Sequence, residues 1–111
     1  MPTIDGPTTP TDTGAIDLVE QDGVQVLRLR GEVDGLVVAA WQDAAPATPR
    51  AAAAVDASAA TFLDCRGLRM LVQETAATRR SGRLPELRRP SRAVSRLVEA
   101  AGAAQLFATV R

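Results

Sequence analysis

The sequence predicts one small α/β domain, in which a mixed sheet of four or five strands is flanked by three main helices. Strand-like and helix-like segments alternate along the chain in the order β-β-α-β-α-β-α-β, and such alternation produces mostly parallel sheets covered by helices. A length of 111 residues, 46% of them hydrophobic, fits one core. Residues 1–14 are mainly Thr, Pro, Gly and Asp, so we expect a disordered N-terminal tail followed by a domain of residues 15–111.

The first two strands are predicted from a turn signal. Asp22-Gly23 is a dipeptide typical of tight hairpins, and it separates strand-like runs at residues 15–20 and 24–30. Asp34 is the predicted N-cap of the next helix, because its carboxylate can accept hydrogen bonds from the free N–H groups of the first turn.

The first helix has an apolar face at the spacing i, i+3, i+4, i+7, formed by Val37, Ala40, Trp41 and Ala44. Pro46 and Pro49 are expected to end it. Trp41 is the only tryptophan. Its place on this face predicts a buried core residue, and an interface anchor is the alternative.

The third strand is the least obvious element. Residues 51–56 read Ala-Ala-Ala-Ala-Val-Asp, which favours a helix by propensity alone. We predict a short buried strand instead, because the segment lies between Pro49 and a loop and its small residues allow close helix packing. This assignment also depends on the family resemblance described below.

The second half of the chain contains the clearest helix, at residues 64–81, which has a regular apolar stripe and a Ser81-Gly82 stop. A strand is predicted at residues 83–87, although Pro85 is unfavourable inside a strand. A last helix should begin at Pro90-Ser91 and stop at Gly102, before a final strand at residues 106–110.

Charge is divided unevenly between the two halves of the chain. Residues 1–63 carry nine acidic residues and three arginines, whereas residues 64–111 carry four acidic residues and ten arginines. The arginines are interpreted first as solvated surface, second as a docking patch for an acidic partner, and last as a nucleic-acid site. The neutral total and the absence of aromatic residues among them argue against nucleic acid. The arginines in question are Arg79, Arg80, Arg83, Arg88, Arg89, Arg92 and Arg96.

The sequence lacks residues that several functional classes require. The chain has no histidine and one cysteine, so it has no Ser-His triad, no histidine-based metal site and no internal disulfide. Asp64 invites a catalytic interpretation, but an N-cap of the following helix is preferred. No apolar run reaches the length of a membrane span, and the start lacks the features of a signal peptide. We therefore expect a cytoplasmic protein that is not an enzyme, has no cofactor or metal, does not insert into membranes, and is a monomer when free.

Short motifs, taken in order and at their spacing, resemble the STAS family and within it the bacterial anti-sigma factor antagonists. These motifs lie between Val24 and Phe107 and are Gly31-Glu32-Val33-Asp34, Val55-Asp56-Ala57-Ser58, Thr61-Phe62-Leu63-Asp64-Cys65-Arg66-Gly67-Leu68, Pro90-Ser91 and the closing Gly102-Ala103-Ala104-Gln105-Leu106-Phe107. The resemblance implies a module that binds an anti-sigma factor, of the GHKL serine-kinase type, and so controls sigma-factor availability. An alternative is a stand-alone STAS subunit of a stressosome-like or lipid-transport assembly.

The resemblance also implies a switch loop, comprising Asp34, Asp64, Cys65, Arg66, Gly67 and Leu68. Members of the family are phosphorylated on a serine at the position of Arg66, so no phosphorylation is expected there in this chain. Arg66 could pair with Asp34 and Asp64, reach into the partner, or disturb kinase binding. Cys65 is interpreted as a small, partly buried substitute for serine, with a reactive thiol as the alternative.

Overall fold

A computed structural model describes residues 14–44 and 51–111. Its strands are β1 (Ala15–Gln21), β2 (Val24–Val33), β3 (Ala54–Leu63), β4 (Glu86–Arg88) and β5 (Ala108–Val110). Its helices are α1 (Gly35–Ala44), α2 (Cys65–Glu74), α3 (Ala76–Arg80) and α4 (Arg92–Ala100), and a 3-10 turn spans Ala104–Leu106. The strands form one sheet in the order β1-β2-β3-β4-β5, with β1 antiparallel to β2 and the later neighbours parallel. The predicted fold class is confirmed.

The N-terminal hairpin forms where the turn signal predicts it. Asp22 and Gly23 have φ angles of 54° and 81°, the left-handed conformation that two-residue hairpin turns require. Gly14 also lies against this hairpin, because a Cβ atom placed on it would be 1.9 Å from the carbonyl oxygen of Glu32. The rest of the predicted tail, together with Pro46 and Pro49, lies outside the described residues.

β3 is longer than predicted. It begins at Ala54 rather than Ala51 and continues through the predicted loop to Leu63. Its register with β2 shifts twice, and each shift adds one residue to β3. These bulges change the burial period, so that Ala57, Ala60 and Leu63 are buried at intervals of three. The prediction of a short buried strand that ends at Asp56 and is followed by a loop was therefore wrong in its bounds.

The predicted long helix over residues 64–81 is interrupted at Thr75, which separates α2 from α3. The buried Thr75 hydroxyl donates a hydrogen bond to the Leu71 carbonyl at 2.7 Å. The Arg79 guanidinium donates to the Val72 carbonyl, to Thr75 Oγ1 at 2.8 Å and to the Leu106 carbonyl at 3.2 Å. The Leu71 carbonyl also accepts the Thr75 N–H at 3.2 Å, so the side-chain bonds supplement the last backbone bond of α2 and tie its end to the 3-10 turn.

Arg79 is therefore part of the folded framework, which corrects its interpretation as solvated surface. Its guanidinium carbon lies 5.6 Å from the centre of the Phe107 ring, within the range of a cation–π contact. Burial, and then the charge of neighbouring Arg80, lower the pKa of Arg79 from its ordinary value.

The two short C-terminal strands are shifted from their predicted positions. β4 begins only after Pro85, whose buried ring has no N–H for a strand ladder, although its carbonyl accepts from the Ala108 N–H at 2.9 Å. The 3-10 turn occupies the predicted start of β5. Ser91 caps α4 by accepting from the Val94 N–H at 3.4 Å, and the chain leaves this helix at Gly102, with φ 71°.

The core lies between the sheet and its helices, and α1 contributes less to it than its predicted face suggests. Val38 is the buried residue of α1. Val37 and Trp41 are partly buried at the edge of the core, while Ala40 and Ala44 are exposed. The prediction that Trp41 is buried in the core is therefore only partly right, because its side chain packs against the core but stays partly exposed.

Candidate functional site

The candidate site lies where β2 and β3 end side by side. Val33 and Leu63 are partners in the parallel register, and each is followed by an aspartate and then by a helix. Asp34 and Asp64 therefore occupy equivalent positions at the carboxyl edge of the sheet. The Asp64 N–H also donates to the Val33 carbonyl at 3.3 Å, which joins the two loops.

Both aspartates cap their own helices, as the sequence predicts. Asp34 Oδ1 accepts hydrogen bonds from the N–H groups of Leu36 and Val37, both at 3.1 Å. Asp64 Oδ1 accepts from the Gly67 N–H at 2.8 Å. Because each carboxylate is used to hold a helix start, the geometry supports a positioning role rather than paired catalytic carboxylates.

Gly67 and Leu68 support the loop from its buried side, where α2 meets the strand ends. Both are buried. A Cβ atom on Gly67 would lie 2.4 Å from Leu63 Cδ1 and 3.1 Å from the Val33 carbonyl oxygen, so the first turn of α2 sits directly on the strand ends. These two predicted site residues shape the loop without presenting a side chain at its surface.

Arg66 and Cys65 are the exposed members of the predicted switch loop. The expectation that Cys65 is partly buried is wrong, since it is exposed. The Arg66 side chain extends over Gly35, where a Cβ atom would be 2.5 Å from Nη1 and 2.8 Å from Cδ. Within residues 14–44 and 51–111, Arg66 forms no ion pair with Asp34 or Asp64, because both carboxylates face the helix N–H groups.

Two exposed apolar side chains flank this loop and were not identified from the sequence. Leu36, two residues after Asp34, is 82% exposed, and Phe62, two residues before Asp64, is 46% exposed. Leu36 lies outside the predicted apolar stripe of α1. A leucine outside that stripe was the sequence signal that could have identified an exposed apolar side chain. We define the loop face as Asp34, Leu36, Phe62, Cys65 and Arg66.

Ser58, the nearest serine before α2, lies in a separate cluster at the first bulge of β3. Asp56 Oδ1 accepts from the Ser58 N–H at 3.0 Å and from its hydroxyl at 2.8 Å. Asp56 Oδ2 lies 3.3 Å from Arg89 Nη2. Burial raises the pKa of Asp56, but the Ser58 hydrogen bonds and the Arg89 charge outweigh it and leave the pKa below its ordinary value. Asp56 therefore orders the bulge.

The arrangement of possible metal ligands and the length of the helices bear on the class of site. Across the described ranges, no group of three or more His, Cys, Asp or Glu residues is arranged to hold a metal ion. None of the helices that the structure describes is both long and apolar enough to span a membrane.

Comparison with known proteins places the fold in a family. A crystal structure of an anti-sigma factor antagonist from Mycobacterium paratuberculosis aligns with a TM-score of 0.61 and 24% identity, over 93% of this chain and 90% of that chain. This likeness shows a shared fold. A search of curated proteins gave no match. A family model described as "Mlab, STAS domain" matches residues 16–108, which is most of the sequence, and the chain therefore belongs to the STAS domain family.

Proposed function

We propose that this protein is a regulatory module that binds a protein partner through the loop face and carries out no reaction of its own. The observation that carries the proposal is the exposure of Leu36 and Phe62 beside two rigidly capped helix starts. Exposed apolar side chains on a fixed scaffold are typical of protein interfaces, because a partner removes them from water without first having to order them.

We further propose that the partner is an anti-sigma factor of the GHKL serine-kinase type, bound in the cytoplasm by a monomer. The motifs that resemble anti-sigma factor antagonists and the fold shared with one of them support this choice. The anti-sigma factor would then bind this protein in place of its sigma factor. Sigma-factor availability would therefore rise with the amount of this protein.

Regulation at this site is proposed to proceed without phosphorylation of the loop. Arg66 has no hydroxyl group, and the nearest preceding hydroxyls, Ser58 and Thr61, belong to β3 rather than to the first turn of α2. A phosphate on either residue would not lie among the N–H groups that begin α2. Incubation with candidate kinases and ATP, followed by mass spectrometry, tests this: stoichiometric phosphate on Ser58 or Thr61 that dissociates the complex would contradict it.

The proposed interface is tested by affinity purification from the native cell with wild type, Leu36→Asp and Leu84→Asp. Leu84 is the matched control, because it is 51% exposed and lies outside the loop face. We expect wild type and Leu84→Asp to retain a GHKL kinase that Leu36→Asp loses. Equal retention by all three proteins would show that the loop face is not the interface.

A second candidate is a subunit role in a larger assembly, of the stressosome-like or lipid-transport kind. The matching family model supports it, since that model is named for Mlab rather than for anti-sigma factor antagonists. The same purification separates the two candidates. Co-purification of transporter subunits or of other STAS proteins in fixed ratio would favour the assembly.

A further inference from the structure

A groove of about 400 Å³ lies between α1 and α2 and adjoins the loop face at Arg66. Val38 and Met70 line it with apolar surface, while Gln42 and Gln73 contribute side-chain amides. Both apolar residues are buried members of the core, so the base of the groove is part of the rigid framework. The groove can therefore receive side chains without reorganisation of the domain.

All the charge that lines this groove is positive. Arg66 and Arg69 contribute it, and among the residues that the structure describes no acidic residue lines the groove. The two arginines are three positions apart on α2, a spacing that places side chains on one helix face. Both are exposed, and neither forms an ion pair with any residue in the part of the chain that the structure describes.

Gly35 leaves room for the Arg66 side chain at the groove. A Cβ atom at position 35 would collide with Nη1 and Cδ of Arg66, at 2.5 and 2.8 Å, so the arginine occupies space that any other residue at position 35 would fill. The stem of Arg66 rests on the first turn of α1 and carries its guanidinium to the groove.

We propose that this groove recognises an acidic segment of the protein partner, with Arg66 and Arg69 contacting its carboxylates and Val38 and Met70 contacting an apolar side chain between them. The proposal rests on the proposed function and names the chemistry of the partner at the same site. Paired guanidinium groups match carboxylates in geometry as well as charge.

The shape and lining of the groove favour a protein segment over other anions. A concave space with an apolar base suits alternating acidic and apolar side chains. Within residues 14–44 and 51–111, no aromatic residue lines the groove to stack on nucleic-acid bases. The formal net charge of the chain is zero, which gives it little general attraction to an anionic membrane.

The test uses a fluorescein-labelled helical peptide with Glu and Leu at i, i+4 spacing, and a counterpart with Gln in place of Glu. Fluorescence anisotropy measures binding to wild type, Arg66→Glu, Arg69→Glu and the double variant. Arg96→Glu, an exposed arginine on α4 that does not line the groove, is the matched control. Gly35→Ala keeps every charge but displaces Arg66.

We expect wild type and Arg96→Glu to bind the acidic peptide equally, with an affinity that falls as salt rises. Each single reversal should weaken binding by about tenfold, and the double variant should abolish it. Gly35→Ala should weaken binding by a few-fold, and the Gln peptide should not bind. Circular dichroism confirms that the variants are folded.

Equal binding by the double variant would overturn the inference, as would no binding of the acidic peptide to wild type. Arginine-dependent binding of phosphatidylglycerol vesicles or of single-stranded RNA, without peptide binding, would also overturn it. A native partner that Leu36→Asp loses but Arg66→Glu with Arg69→Glu retains would leave the proposed function intact and refute only the acidic chemistry. Retention by Leu36→Asp would instead count against the proposed function.

Discussion

Arg66 and Arg79 lie in the consecutive helices α2 and α3, but their surroundings differ. The start of α2 leaves its arginine exposed to solvent, whereas α3 holds its arginine in hydrogen bonds within the fold. Arg79 is partly buried, donates to three acceptors and lies on an aromatic ring. Arg66 is exposed and rests on a glycine. The comparison shows how one residue type serves either the fold or a partner, depending on whether the protein itself supplies acceptors.

Removal of Arg79 should have the largest effect on stability. Arg79→Ala leaves the carbonyls of Val72 and Leu106 without this donor, and we expect the free energy of unfolding to fall by about 3 kcal/mol. Arg66→Ala should change it by less than about 0.5 kcal/mol. Urea denaturation of both variants measures the contrast. Equal losses would show that the two arginines are not used differently.

Gly67→Ala should destabilise the start of α2, with an intermediate effect on the free energy of unfolding. The added methyl group would press on Leu63 and on the Val33 carbonyl, so α2 must shift, at a cost of about 2 kcal/mol. Gly82→Ala is not a suitable control because of its positive φ. Ala77→Gly in α3 measures the helix-propensity difference between Ala and Gly, about 1 kcal/mol in favour of Ala. Because this difference favours Ala at position 67 as well, a Gly67→Ala variant as stable as wild type, or more stable, would contradict the close contact.

Loss of a capping carboxylate should have a smaller effect. Asp64→Ala removes the acceptor of the Gly67 N–H, and Asp34→Ala removes the acceptor of two N–H groups at the start of α1. Each should cost about 1 kcal/mol. Asparagine at either position should recover most of the loss, because it also caps helices well. Failure of Asn to rescue would indicate that the negative charge, not the cap, is what matters.

The smallest effect on stability should be a pH-dependent one at the first bulge of β3, where Asp56 lies. Because the pKa of Asp56 is lowered in the folded protein, its contribution is present above the ordinary aspartate pKa and lost as pH falls through the folded value. The stability difference between wild type and Asp56→Asn should therefore be largest at neutral pH and shrink below about pH 4. Thermal unfolding across this range measures it. A constant difference would exclude a role for the carboxylate charge.

The features that the sequence predicts correctly are local ones. The caps at Asp34 and Asp64 and the turn at Asp22-Gly23 depend on a few neighbouring residues, and all of them form as expected. Helix α4 also begins directly after Ser91, as predicted. The strand predicted at residues 51–56 is present as part of β3, although its alanines favour a helix, and its prediction depended in part on the family resemblance. The fold class follows from the order of these elements.

The features that sequence reasoning misses depend on distant contacts. The break at Thr75 accompanies the link from Arg79 to Leu106, 27 residues away, and no local pattern encodes it. Arg66 was expected to have a role together with Asp34 and Asp64, but capping takes up both carboxylates. The groove between α1 and α2 exists only once two helices pack, so its residues could not be grouped from spacing alone.

The bulges of β3 affect the strand edge that lies beyond its pairing with β4. β3 pairs with β4 only at Ala54–Asp56 and continues to Leu63, so among the described strands its far half has a neighbour on one side only. A flat strand with unsatisfied backbone groups is a template for edge-to-edge aggregation, and bulges spoil such a template by bending it and shifting its donors. The two inserted residues that move Ala57, Ala60 and Leu63 into a three-residue burial period therefore also interrupt the regular row of donors and acceptors along this edge. We expect a deletion that straightens this strand to restore that row and to increase self-association, which light scattering measures.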